Sequence, residues 1–100
     1  MFDLAITASA RDDIRFFKVF EQRRILDAIE QRVPYEPVTP TQHRKMLRPN
    51  NLAQWALRIG RYRIFYDVED DPVIVRIKAV GWKERNRLFI RGKEYILEDN

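Results

Sequence analysis

The sequence predicts an α+β domain: an N-terminal strand, then two helices packed on one face of a small antiparallel sheet with a three-strand C-terminal meander. Three observations lead there. Apolar residues recur at helical spacing between Ile14 and Val33. They alternate at strand spacing in three runs between Gln54 and Val80,. Between the two patterns, Pro34, Pro37 and Pro40 fall within seven residues, which supports neither a helix nor a central strand,.

The elements follow in order. Residues 2–7 read as a short first strand. Ser9 to Asp12 reads as a helix start, with Ser9 as N-cap and Asp12 at N3,. Ile14, Phe17 and Phe20 form the apolar stripe of this helix, with Phe16 beside them. A second helix over about residues 21–32 carries Ile25, Leu26, Ile29 and Val33,. Neither Gly nor Pro marks a break near residues 20–22, so a single bent helix fits the same pattern. Residues 41–51 form a polar, basic connector that ends in a turn signal, Pro49-Asn50-Asn51,. The meander comprises strands 54–59, 62–68 and 73–80. They are joined by a tight turn near Gly60-Arg61 and a charged turn over Glu69, Asp70, Asp71 and Pro72, and Gly81 ends the last strand,. The tail from Lys83 to Asn100 is compatible with a short helix, an extra strand or a segment ordered by a partner.

Strand side chains alternate between faces. One face collects Trp55, Leu57, Ile59, Tyr62, Ile64, Tyr66, Val68, Val73, Val75, Ile77 and Ala79, and belongs under the helices. Of these, Trp55, Leu57, Ile64, Tyr66, Val75 and Ile77 are expected to be largely buried. The other face collects Gln54, Ala56, Arg58, Arg61, Arg63, Phe65, Asp67, Ile74, Arg76, Lys78 and Val80, so five cations face one acid. A solvated strand face is the plainer account. The charge imbalance, with Phe65, Ile74 and Val80 among the cations, favours a binding surface.

Length and charge narrow the classes further. One hundred residues make a single domain, 1–100, with no room for a second core,. The chain has no cysteine, so disulfides and thiolate metal sites are excluded,. No apolar run approaches the ~20 residues of a membrane span. The N-terminus lacks the basic start of a signal peptide, and a cytoplasmic location is expected. Net charge is +4, and its distribution is uneven. From Pro37 to Tyr66 there is no acid, and Arg44, Lys45, Arg48, Arg58, Arg61 and Arg63 fall in that window. Arg76, Lys78 and Lys83 follow in the acid-free run from Pro72 to Lys83. A segregated basic surface raises the local concentration of a polyanion and speeds encounter with it.

The run Leu57-Arg58-Ile59-Gly60-Arg61-Tyr62-Arg63-Ile64-Phe65-Tyr66-Asp67-Val68 resembles the "LRxGxYRxxYxV" stretch of RelE/ParE-type toxins. Val75 to Glu84 resembles their "VxxxxVGxRxE" stretch with Lys83 at the basic position, and Lys45-Met46-Leu47-Arg48 resembles the "KxL" that precedes the first meander strand. The resemblance covers nearly the whole chain. It implies a RelE-like fold and the toxin role of a type II toxin–antitoxin module, held inactive by a cognate small antitoxin. It also implies contact with operator DNA only through that antitoxin. RelE-like members cleave messenger RNA on the ribosome without a metal or other cofactor, and so inhibit translation. ParE-like members inhibit DNA gyrase, and a catalytically degenerate relative would serve mainly to bind its antitoxin.

Carried over position by position, the resemblance assigns charge stabilisation at the scissile phosphate to Arg63, a phosphate contact or proton donor to Lys83, and a further cation to Arg58. Arg44, Lys45, Arg48, Arg61, Arg76, Lys78 and Arg85 are the expected RNA-binding residues. Two lysines and a C-terminal tyrosine of RelE nucleases are replaced by Gln54, Ala56 and Phe89. His43, the sole histidine, is an acid/base candidate because histidine titrates near neutrality, and a plain loop residue otherwise,. Trp82 stands where it can stack on a base, meet the antitoxin or close the rim of the core. Arg85, Arg87, Arg91 and Lys93 are phosphate contacts or solvated tail residues.

Overall fold

A computed structural model describes residues 2–70 and 72–97. Asp71 of the expected charged turn and residues 98–100 of the tail lie outside the described residues. The elements are β1 (Asp3–Ile6), α1 (Ala8–Arg15), α2 (Val19–Arg32), β2 (Arg44–Met46), β3 (Trp55–Ile59), β4 (Tyr62–Asp70), β5 (Val73–Glu84), β6 (Arg87–Ile90) and β7 (Lys93–Glu94).

The strands from β2 to β7 pair antiparallel in chain order, while β1 pairs parallel to β5. β1 covers Ile74 to Ile77 of β5, and β6 covers Trp82 to Glu84. One long strand therefore carries three partners. The α+β arrangement expected from the sequence is the one observed, with β1 as the parallel exception.

Thr7, rather than Ser9, caps α1. Its Oγ1 accepts the Ala10 N–H at 3.0 Å, and its own N–H donates to the Ile77 carbonyl at 3.1 Å. The strand thus runs straight into the helix. Two helices, not one bent helix, follow. At the break the Lys18 N–H donates to the Glu21 carboxylate at 3.2 Å, and Gln22 Nε2 donates to the Phe17 carbonyl at 2.7 Å. Both bonds satisfy groups that a helix end leaves open. Starting α2 at Val19 turns Phe20 outwards, 62% exposed, while Ile25, Ile29 and Val33 are buried and Leu26 stays exposed.

The helices cover Trp55, Leu57, Ile64, Tyr66, Val75 and Ile77, each 4% exposed or less, as the alternation predicts. The alternation of β5 is not kept throughout. Phe65 pairs with Ala79 and Tyr66 with Ile77, so Lys78 is the extra residue of a β-bulge,. The slip reverses the faces beyond it. Val80, expected on the open face, joins the core, and Ala79, expected in the core, turns to the other side.

The second face is not fully open either. The tail forms β6 and β7 and folds across it, and Ala53, Ala56, Phe65, Ala79 and Leu88 make a second apolar cluster flanked by Leu47, Ile90, Tyr95 and Leu97. Two reverse turns allow this. Arg85 and Asn86 have φ of 50° and 67°, and Arg91 and Gly92 have φ of 50° and 78°. Paired left-handed residues match the twist of a two-residue hairpin. Gly81 does not end the last meander strand but sits within β5, where an added Cβ would collide with the Phe89 carbonyl oxygen. Trp82 closes the rim of the core between Phe16 and Phe89, with ring centroids 5.8 and 5.7 Å away. Among the described residues no helix is long and apolar enough to cross a membrane.

Candidate functional site

Where the tail stops short of covering the second face, a cleft of about 560 Å³ remains. β2 and the connector before it supply Gln42, His43, Arg44 and Lys45. The β3–β4 hairpin supplies Arg58 and Arg63, and the end of β5 supplies Lys83. Arg87, Glu94, Tyr95 and Leu97 close it from the tail. Among the described lining residues other than the buried Arg44, five are Lys or Arg and one is an acid, Glu94.

Arg58 and Arg63 are paired in register across β3 and β4, around the Gly60-Arg61 turn. Gly60 has φ of 56°, the left-handed region that glycine enters without strain,. Arg63 Nη1 folds back to donate to the carbonyls of Gly60 and Tyr62, each at 3.0 Å. Burial, then the neighbouring Arg58 charge, lowers the pKa of Arg63, though arginine remains a cation. Lys83 leaves β5 beside them, with its backbone N–H bonded to the Arg61 carbonyl at 2.9 Å. Burial first, then Arg63 and Lys45, holds its ammonium below the usual lysine range,.

Arg58 Nη2 lies 3.1 Å from His43 Nδ1. A guanidinium only donates, so Nδ1 is the acceptor and the neutral ring carries its proton on Nε2. The backbone of His43 is fixed on both sides. Its N–H donates to Thr41 Oγ1 at 3.2 Å, and its carbonyl accepts the Arg58 N–H at 2.7 Å. Three converging cations suit a phosphate and the extra negative charge that develops on it during cleavage. Among the described residues no group of three or more His, Cys, Asp or Glu side chains is arranged to hold a metal ion.

Arg58, Arg63 and Lys83 thus come together, joined by Lys45. The other expected RNA-binding residues are dispersed. Arg44 is buried. Its guanidinium donates to the carbonyls of Tyr35, Glu36 and Arg32 at 3.1, 2.7 and 2.6 Å, and so ties the end of α2 and the proline segment to β2. Arg61, expected on the open face, turns to the helix side because it occupies the hairpin turn, where strand alternation does not carry through. There it meets Glu21 at 3.0 Å and Glu84 at 3.7 Å. Arg76 is held by the Glu69 carboxylate at 2.8 and 3.1 Å. Lys78, the bulge residue, borders a separate hollow with Asp13, Arg91 and Lys93. Arg48 is exposed in the loop after β2 and Arg85 in the β5–β6 turn, and neither lines the cleft.

The replaced positions offer no proton-transfer group. Gln54 accepts the Val68 N–H with its side chain, Ala56 is buried under the tail, and Phe89 stacks on Trp82. Tyr62 and Tyr66 belong to the core as expected. Tyr66 donates to the Pro37 carbonyl at 2.6 Å, and burial pushes its hydroxyl up to about 12. Arg87, one of the tail residues given as a phosphate contact or a solvated side chain, lines the cleft, and Tyr95 is a wall that the sequence did not point to. The available signal was Asn86 and Gly92, turn residues that fold the tail back.

A family model described as "ParE toxin of type II toxin-antitoxin system, parDE" matches residues 4–87. No curated protein matches the chain. Among solved structures, a chain of the toxin–antitoxin complex RelBE2 from Mycobacterium tuberculosis superposes with a TM-score of 0.68 at 21% identity, over 82% of this chain and 98% of that one. A chain of the archaeal RelE–RelB complex from Pyrococcus horikoshii OT3 gives 0.63 at 20% identity, over 84% of this chain and 97% of that one. At such identities the likeness is one of fold.

Proposed function

The chain belongs to the ParE toxin family of type II toxin–antitoxin systems, and from that premise we propose that it is a cytoplasmic toxin that cleaves messenger RNA on the ribosome without a metal. One observation carries this reading: Arg58, Arg63 and Lys83 converge on a single cleft. In metal-free cleavage the 2′-hydroxyl attacks the adjacent phosphate, and cations must hold the charge that accumulates there. Exposed Lys45 and Arg87 extend the basic surface along which the RNA backbone would run,. A cognate small antitoxin is the proposed protein partner, since both structural relatives were solved as toxin–antitoxin complexes. Operator DNA would be reached only through it.

A second reading, inhibition of DNA gyrase, is favoured by Gln54 and Ala56, which put no proton acceptor at those two positions. Induced expression with mapping of RNA 5′ ends, run beside a gyrase supercoiling assay, separates the two. New ends within reading frames support the nuclease. Loss of supercoiling without new ends supports the alternative.

A further inference from the structure

We infer that His43 is the proton acceptor of RNA cleavage, and that Arg58 keeps it idle until a phosphate draws the arginine away. The inference rests on the nuclease reading. Its starting point is the 3.1 Å contact between Arg58 Nη2 and His43 Nδ1. That contact occupies the one ring lone pair able to take a proton, so the resting site holds no free imidazole base.

The two partners differ in freedom. The His43 backbone is tied to Thr41 Oγ1 and to the Arg58 N–H, whereas the exposed arginine side chain can swing. A phosphate attracts it more strongly than a neutral imidazole does, because a charge-assisted bond between ions replaces a bond to a neutral group. Arg63, directly across the hairpin, presents a second cation to the same anion. Binding of the phosphate therefore frees Nδ1 at the moment the substrate is in place. No replacement base stands at Gln54 or Ala56.

The step then balances. The 2′-hydroxyl proton passes to His43 Nδ1, and the 2′-oxygen forms a bond to phosphorus. The bond from phosphorus to the 5′-oxygen breaks, and that oxygen leaves with the electron pair and takes a proton from the Lys83 ammonium. The products are a 2′,3′-cyclic phosphate and a 5′-hydroxyl. Exchange with water returns His43 and Lys83 to their starting states. The lowered pKa of Lys83 favours its giving up that proton,.

The test adds the full chain to ribosomes translating a defined message and compares wild type with His43→Ala and His43→Gln. Glutamine keeps an oxygen that can accept from Arg58 but cannot take up a proton. Cleavage is expected to fall by roughly 10²-fold or more in both variants, with binding of a short RNA little changed. Added imidazole should restore part of the rate of His43→Ala. Either variant cleaving at the wild-type rate overturns the role of His43 and leaves the nuclease reading standing, and His43→Gln at that rate would mark His43 as a rest for Arg58 only. A wild-type protein that cleaves nothing while it stops gyrase overturns the nuclease reading and this inference together.

Discussion

Arg58 and Arg63 stand directly opposite one another across β3 and β4, two like charges where a sheet gains stability from opposite ones,. The pairing costs the fold something and suits an anion that binds between them. Arg58→Ala should therefore unfold at a temperature equal to or above that of wild type. Added sulfate should raise the unfolding temperature of wild type more than that of the variant. Thermal unfolding with and without sulfate checks both statements.

Arg63→Ala should lower message cleavage by ~10²–10³, the usual loss for one charge-stabilising donor. Its circular dichroism spectrum should stay that of wild type, because among the described residues the Arg63 side chain donates its hydrogen bonds to carbonyls of its own turn. Arg76→Ala is the matched control. That arginine is committed to Glu69 outside the cleft, and the variant should keep near-normal cleavage. If Arg63→Ala cleaves as wild type does, the cation centre lies elsewhere.

Arg44→Met should behave as a stability variant. Three backbone carbonyls lose their donor, at about 1–3 kcal/mol for such buried groups. Urea unfolding should show the loss, while the folded fraction binds RNA as wild type does.

Gly81→Ala should loosen the tail. The new methyl meets the Phe89 carbonyl, so β5 and β6 must separate. Amide exchange should quicken in residues 87–95 first and leave the β3–β4 hairpin protected.

Glu21 gives a pH signature. The Tyr62 hydroxyl first, then Arg61 and the Lys18 N–H, holds its carboxyl below the ordinary value of 4.5. Stability from a depressed carboxylate is present above the unfolded value and lost as pH falls through the folded one. Wild type should exceed Glu21→Gln by about 1 kcal/mol at neutral pH. The difference should shrink as pH drops below 4.5. Asp13 runs the other way, since burial raises its pKa, but it is common to both proteins and cancels in the comparison.

What the sequence made legible follows from how local each signal is. Trp55, Leu57, Ile64 and Tyr66 were readable because alternation and a two-residue turn lie within one hairpin. Arg58 and Arg63 were readable for the same reason, as both flank that turn. The bulge at Lys78 was not, because a bulge exists only in the register between strands. The fate of Ala79 and Val80 went with it. A buried Arg44 looks like any exposed arginine until its carbonyl partners, 8 to 12 residues away, are in place. Tyr95 entered the cleft through two turns folded on left-handed residues, and strands of four and two residues carry too little alternation to show where they pair.

The place of β5 in the sheet also sets an order in time. β1, made first, has no partner until Ile74 to Ile77 are available. Lys83, Arg87 and Tyr95 complete the lining of the cleft beside the β3–β4 hairpin. During synthesis the chain grows from its N-terminus, so the paired arginines can meet well before the residues that enclose them exist. A half-made copy holds the charges without the enclosure, and the cleft is complete only once residues 83–97 are free to fold back across the sheet.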